Sequence, residues 1–307
     1  MPELPEVEVV RRGLVAALTG RTIGSLELIG QHGPRAVRRH VAGPADFVAA
    51  VTGRTVADVR RRGKYLWFAL DDGDAVLAHL GMSGQFRVLQ ASTGHRQPLH
   101  PHTRIRFHLL GEGVGMDSHR DTDTETLVDF LDQRTFGGLS FVPDGAELPA
   151  SISHIARDVL DSQFDRPRVV KAISAKHSAI KRVLLDQSVI SGIGNIYADE
   201  ALWAARVHGA CPADSLSTGI VGSLIDAATD VMCAALDQGG TSFDALYVNV
   251  NGESGYFERS LNAYGRAGMP CGRCGAPIGR EKFMNRSSFF CPRCQPSPSF
   301  VGAERQV

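Results

Sequence analysis

The 307-residue chain has no run of 18 consecutive apolar residues, and its start, Met1-Pro2-Glu3-Leu4-Pro5-Glu6, is acidic where a secretory leader would be basic. A bilayer-crossing helix needs about 18 to 20 predominantly apolar residues, so the sequence predicts neither a membrane span nor an exported protein. It predicts a cytoplasmic one. Net charge is missing as well: 33 Lys and Arg balance 33 Asp and Glu, which argues against a uniformly basic nucleic-acid binder. Cysteine is scarce, six in all, and four of them crowd near the C-terminus, a pattern of metal ligation in a reducing compartment. Cys211 and Cys233 stand alone and are expected as small buried side chains, not nucleophiles.

What is present is an ordinary globular composition, 43% hydrophobic and 21% charged, in a chain long enough for two or three domains. The zero charge hides segregation. Arg54, Arg60, Arg61, Arg62 and Lys64 face only Asp58 within their stretch, and Arg266, Arg273, Arg280, Lys282, Arg286 and Arg293 face only Glu281. The balancing acids lie between Glu112 and Asp132, so a polyanionic partner stays open.

After an opening helix over about 5–18, short β-branched and alternating runs predict strands near 22–29, 55–60, 65–70, 75–80, 85–88, 103–109 and 126–131. With a further helix near 45–51 this makes a mostly β first domain, a sandwich or barrel, over residues 1–142. The acidic stretch 111–125 lacks periodicity and reads as a surface loop. Pro143, Gly145 and Pro149 mark a linker over 143–154. Apolar spacing of three and four then predicts helices over 178–187, 195–207 and 219–238 in a second domain, 155–260. Residues 261–296 carry the cysteines, and 297–307 form a tail.

Three stretches carry chemistry. Initiator methionine is normally trimmed before a residue as small as proline, which would leave Pro2 with a free secondary amine. Such an amine can attack an electrophilic carbon and give an iminium, as covalent catalysis at a sugar C1′ requires. Glu3 beside it is a candidate proton donor and acceptor. The plainer alternative is that proline only sets φ for a first helical turn whose positive end the glutamates favour.

Cys271-Gly-Arg-Cys274 and Cys291-Pro-Arg-Cys294 are two C-x2-C pairs with sixteen residues between them, the tetrahedral thiolate set of one structural zinc. Two strands, 278–283 and 287–291, can form a ribbon between them with Asn285 and Arg286 near its tip. The third stretch, Asp186 to Tyr197, breaks one helix and starts another through Gly192 and Gly194, with Asn195 where an N-cap would sit. Free amides there can hold a phosphate, supported by Lys176, His177 and Lys181 nearby.

Taken together, Met1-Pro-Glu-Leu-Pro-Glu-Val-Glu8, Arg61-Arg-Gly-Lys-Tyr-Leu66, His79-Leu-Gly-Met-Ser-Gly84, Asp132-Gln-Arg-Thr-Phe-Gly137, Gly194-Asn-Ile-Tyr-Ala198, Ala263-Tyr-Gly-Arg266 and the four cysteines resemble the formamidopyrimidine-DNA glycosylase family over nearly the whole chain. The resemblance implies an α+β multidomain fold: an N-terminal β-sandwich with flanking helices, a helix-two-turn-helix domain and a C-terminal zinc-ribbon finger, with damaged duplex DNA held across a cleft. It implies excision of oxidised purines and β,δ-elimination by a monomer on the nucleoid, with one zinc and no small-molecule cofactor. Pro2 matches the nucleophile, Glu3 the general acid, Lys64 the lysine of β-elimination and Arg286 the finger arginine of δ-elimination. His102, Lys181 and Asn195 match DNA-contacting positions. Met82, Arg134 and Phe136 match residues that fill the void left by an extruded nucleotide, although core packing would also suit Met82 and Phe136. Residues 248–257 match a loop over the flipped base.

Thr135 departs from members with a second arginine there, and the acidic insert is long. Two rivals remain open: an endonuclease VIII-like relative preferring oxidised pyrimidines, and a damage sensor without catalysis. The wedge set argues against the first, and retention of Pro2, Glu3 and Lys64 against the second.

Overall fold

In a computed structural model, residues 2–92, 97–111, 124–240, 250 and 260–298 are described. Met1, most of the acidic insert, most of the predicted loop at 248–257 and residues 299–307 lie outside the described residues. The chain divides into two compact units, Met1–His154 with Gly239–Gly255, and Ile155–Gln238 with Tyr256–Val307.

The first unit opens with α1 (Leu4–Leu18), β1 (Thr22–Leu28), α2 (Gly33–Ala36) and α3 (Pro44–Val51). Seven strands follow: β2 (Val56–Arg62), β3 (Tyr65–Leu70), β4 (Ala75–His79), β5 (Gly84–Ser92), β6 (Thr103–Leu110), β7 (Thr124–Asp132) and β8 (Gly138–Val142). With β1 they form two four-stranded antiparallel sheets, in the orders β1-β6-β7-β5 and β2-β3-β4-β8. Alternation decides which face each strand buries. Leu66, Phe68 and Leu70 of β3 join Phe86 of β5, Phe107 of β6 and Phe130 of β7 in one core. Phe68 meets Phe86 at 5.7 Å and Phe107 at 6.0 Å between ring centroids, so aromatic edges tie the two sheets together. Helix α1 adds Val7, Val10, Leu14 and Leu18 to the same core.

The second unit holds α4 (Arg166–Ser174), α5 (Ile180–Leu184), α6 (Asn195–Ala205) and α7 (Thr218–Asp237), then the hairpin β9 (Gly279–Phe283) and β10 (Arg286–Phe290). Helix α7 is long and apolar enough, by length and composition, to cross a bilayer. Asp226 and Asp230 interrupt it, which is why no unbroken apolar run betrays it in the sequence. Here it packs on α6 and α4 and buries Val221, Leu224, Ile225, Ala228 and Met232, as a core helix does.

Four local predictions differ. Strand β8 goes unpredicted because Gly137-Gly138 and Pro143 mask its short apolar run. Helix α4 does too, since its Arg-Pro-Arg start hides a face on which only Val170 and Ile173 are buried. Asp165 caps it, accepting from the Arg168 amide at 3.0 Å. Helix α5 ends at Leu184, short of the predicted 187, because Asp186 and Gln187 turn their side chains onto the backbone. Cys211 and Cys233 are half-buried, not fully buried, and burial raises both thiols above the ordinary range.

Candidate active site

On the first unit the chain start is enclosed. Pro2 and Glu3 are buried, and Glu3 is the N-cap of α1, its amide donating to Glu6 Oε2 at 2.8 Å. Pro5 occupies the first turn, where a missing N–H costs nothing. Helix initiation is thus handled by Glu3, Pro5 and Glu6, and Pro2 lies ahead of it.

One turn further on, Glu8 gathers three arginines. It accepts from Arg11 Nη2 at 2.8 Å, Arg12 Nε at 3.0 Å and Arg61 Nε at 2.9 Å. Burial opposes its ionisation, but the hydrogen bond and charge of Arg11 and Arg61 overcome that and hold the carboxyl at about 2. Arg61 also donates to Gly63 O at 3.0 Å. Gly63 and Lys64 form the two-residue turn between β2 and β3, with Gly63 at φ +56°, a conformation that favours glycine. The tie from α1 through Glu8 and Arg61 therefore fixes the turn bearing Lys64, which is itself buried.

Two further cations of that basic run, Arg60 and Arg54, are neutralised locally. Arg60 pairs with Asp58 and Glu147, and Arg54 with Asp72 and Asp74. Arg54, Arg60 and Arg61 are thus internal ties, and those three offer a polyanion less than the sequence suggests. His79, paired across the sheet with Tyr65, is driven down to about 4 by burial and by the charges of Arg39 and Lys64, which leaves it neutral at pH 7.

The loops after β4 and β7 meet. Met82 is 42% exposed and Phe136 is 50% exposed, so neither is a core residue, and exposed Arg134 brings Nη1 to 3.5 Å from Met82 Sδ. His102 lies beside them, its carbonyl accepting from the Asp132 amide at 2.9 Å.

On the second unit the glycine turn is stapled by Gln187. Its amide donates to Leu185 O and Ile193 O and accepts from the Gly192 amide, each at 3.0 Å. Gly194, not Asn195, is the N-cap of α6; Asn195 is the first helical residue. Its side chain donates to Ser287 O of β10 at 3.0 Å, which leaves the predicted capping role to the backbone. Lys181 is fully buried, its ammonium 2.6 Å from Asp199 and 3.5 Å from Ser287 O. Burial pushes the Asp199 carboxyl up to about 6 against the opposing pull of Lys181. Asp199 also accepts from Ser288 Oγ at 3.1 Å and the Phe289 amide at 3.0 Å. Its neighbour Glu200 accepts from the amides of Asn262, Ala263 and Tyr264 at 2.8 to 2.9 Å. Lys176 is exposed.

The hairpin turns at Met284-Asn285, so Arg286 is the exposed first residue of β10, paired with Phe283. Below it the Sγ atoms of Cys271, Cys274, Cys291 and Cys294 lie within 4.8 Å of one another. Four thiolates around zinc at 2.3 Å stand about 3.8 Å apart, so the set fits that ion. The thiols already differ. Burial opposes ionisation of Cys271, yet the Arg273 amide, the Trp203 indole N–H at 3.4 Å and the Cys274 amide hold it at about 6. Burial and neighbouring thiols push Cys294 up to about 12. A dication is what would let all four ionise together. Arg273 stacks 3.7 Å over the Trp203 ring, and buried Gln295 joins the Cys291 amide to Val207 O.

Family models match three consecutive segments: the formamidopyrimidine-DNA glycosylase N-terminal domain over 1–139, its H2TH domain over 155–245, and a zinc finger found in FPG and IleRS over 268–296. A formamidopyrimidine-DNA glycosylase of Mycolicibacterium gilvum is 56% identical over 302 residues, covering 97% of this chain and 99% of that relative. This chain belongs to the formamidopyrimidine-DNA glycosylase family. Among solved structures, a Lactococcus lactis FPG mutant in complex with a Fapy-dG-containing DNA is 30% identical, with a TM-score of 0.79 over 96% of this chain and all of that one. MutM (FPG) from Thermus thermophilus is 33% identical, with a TM-score of 0.77 over 96% and 98%.

Within this glycosylase-family chain, the sandwich, helical and finger architecture and the one-zinc donor set stand as expected. Pro2, Glu3, Lys64, Met82, His102, Arg134 and Phe136 lie on the first unit; Lys176, Lys181, Asn195, Arg286 and the cysteines lie on the second. Sequence reasoning misses the carboxylates that hold several of them, Glu8, Asp132 and Asp199, and Glu200, which holds the chain at 262–264. The signal available was their setting, since acids interrupting an apolar run, as Asp199-Glu200 do in α6, are buried only when paired.

Proposed function

We propose that this protein removes oxidised purines, such as 8-oxoguanine and formamidopyrimidines, from duplex DNA and then cuts the abasic strand, as a step of base excision repair. The carrying observation is the full-length relation to formamidopyrimidine-DNA glycosylases, 56% identical over 97% of the chain, joined to a related fold solved on Fapy-dG-containing DNA.

In this reading Met1 is removed and the Pro2 nitrogen bonds to C1′ as the C1′–base bond breaks. Glu3 supplies the proton that the opening sugar ring or departing base takes up, and later accepts one. The resulting iminium acidifies C2′; loss of that proton expels the 3′ phosphate, and a second elimination expels the 5′ phosphate. Lys64, held by the Glu8–Arg61 tie, serves the first elimination, and Arg286 at the hairpin start serves the second. Met82, Arg134 and Phe136 occupy the stack that the extruded nucleotide leaves. Asn195, His102, Lys176 and Lys181 assist on the phosphates, Lys181 by holding Asn195's partner Ser287 from within. Zinc, with all four positions taken by thiolates, is structural. The protein acts as a monomer on nucleoid DNA in the cytoplasm and needs no small-molecule cofactor.

Paired duplexes carrying 8-oxoguanine or thymine glycol test the substrate class; faster release of thymine glycol would reassign it to oxidised pyrimidines. Borohydride traps the iminium, so wild type is expected to give a covalent adduct with abasic DNA and Pro2→Gly to lose it. Undiminished trapping by Pro2→Gly would remove Pro2 from the mechanism. Intact mass reads Met1 removal directly.

A further inference from the structure

Asp132, the last residue of β7, is completely buried, and its carboxylate is met by neutral donors: Ser83 Oγ at 2.6 Å on Oδ1 and the Gly137 amide at 2.7 Å on Oδ2. The Ser83 hydroxyl, having donated to Asp132, accepts from the Arg134 amide at 3.0 Å. The Asp132 carbonyl accepts from Arg104 Nε at 2.8 Å, which anchors it to β6. Two side chains thus take up amides at both ends of the segment carrying Arg134 and Phe136, from a position beside Met82.

That segment is strained. Thr135 has φ +55°, a left-handed conformation costly for a β-branched residue, and strain of this kind persists only where the surroundings over-determine it. Arg38 Nη1 adds a bond to Thr135 O at 3.0 Å. The two loops also touch backbone to backbone. A Cβ on Gly81 would lie 2.4 Å from the Gly137 nitrogen and 2.6 Å from the Phe136 carbonyl carbon, so only glycine lets the Met82 loop approach the Phe136 loop. Among the described residues no ion pair reaches this buried carboxylate, which makes its burial expensive, and its donors are spent on a loop whose Arg134 and Phe136 are exposed.

We propose that Asp132 and Ser83 are positioning residues that brace Met82, Arg134 and Phe136 as one rigid wedge for opening the DNA stack. The inference rests on the glycosylase reading above. A side chain inserted between bases loses its own freedom on binding, and a braced loop has already lost it, so more of the contact energy goes into unstacking.

Ser83→Ala removes both ends of the hydroxyl's relay while changing little volume, and Asp132→Asn keeps one acceptor while denying the second donor. Amide exchange measured by mass spectrometry on the peptide spanning 132–138 is expected to accelerate about tenfold or more in each, as loss of one buried hydrogen bond implies. Single-turnover release of 8-oxoguanine from a paired duplex should fall about tenfold, the same loss expressed in a barrier. Borohydride trapping on a single-stranded abasic oligonucleotide, which has no stack to open, should stay within about twofold of wild type. Thermal melting of both variants establishes that they fold. Unaltered loop exchange, unaltered duplex excision, or equal losses on duplex and single strand would each overturn the brace. A wild type inert on both DNAs would instead overturn the enzymatic reading, and the exchange result would still decide whether the loop is held as described.

Discussion

Glu8→Gln isolates one charge at the root of the Lys64 turn. Glutamine keeps the size of the side chain and one acceptor, so the variant resembles wild type with Glu8 protonated. The Glu8 carboxyl is lowered from 4.5 to about 2, and at about 1.4 kcal/mol per pKa step that difference is roughly 3 kcal/mol between charged and neutral forms. Discounting for partial solvent screening leaves about 2 kcal/mol. For a unit of this size each kcal/mol moves the melting temperature by about 2 to 4 °C, so Glu8→Gln should melt about 4 to 8 °C below wild type at pH 7. The sign of the pH dependence follows from the lowered folded-state value. Stability from Glu8 is full above the unfolded value of 4.5 and disappears as pH falls through about 2, so the two melting curves should converge in that window. Because Arg61 also donates to Gly63 O, the variant should lose strand cleavage at abasic sites more than it loses DNA affinity. Differential scanning calorimetry between pH 7 and about pH 3, with a cleavage assay alongside, reads both. Equal melting temperatures at pH 7, or a gap that does not shrink in acid, would refute the tie.

Arg286→Ala should spare base release while reducing the second elimination, and should lower the slope of log affinity against log salt by about 1; equal loss of both activities would count against a separate role. Cys291→Ser should bind less than one zinc per chain and weaken duplex binding by about tenfold or more, read by metal analysis and by fluorescence anisotropy; a variant with full zinc and native affinity would contradict the structural metal. Asp199→Ala leaves Lys181 buried without its carboxylate and should cost about 3 to 5 kcal/mol, a loss that denaturant unfolding would expose or deny.

The sandwich was legible because its strands alternate: Leu66, Phe68 and Leu70 announce one buried face without reference to anything distant. The zinc knuckles were legible because both ligands of each pair lie within four residues. Long-range polar ties were not. Glu8 finds Arg61 across 53 residues, Asp132 finds Ser83 across 49, and Asp199 finds Ser288 across 89, and an acid reads as a surface residue until its partner is known. In the basic run at 54–64 the same holds, since Arg54, Arg60 and Arg61 meet acids that pattern alone cannot bring beside them. At the glycine turn, chemistry was visible and geometry was off by one residue, because a glycine N-cap leaves no side-chain signal.

The Ser287 carbonyl receives Asn195 and Lys181 at once, three residues before the β10 strand hands over to Cys291. An oxidant that strips the knuckle of its ion would therefore do more than unravel a finger: it would slacken the lysine and the asparagine at the helix start in the same event.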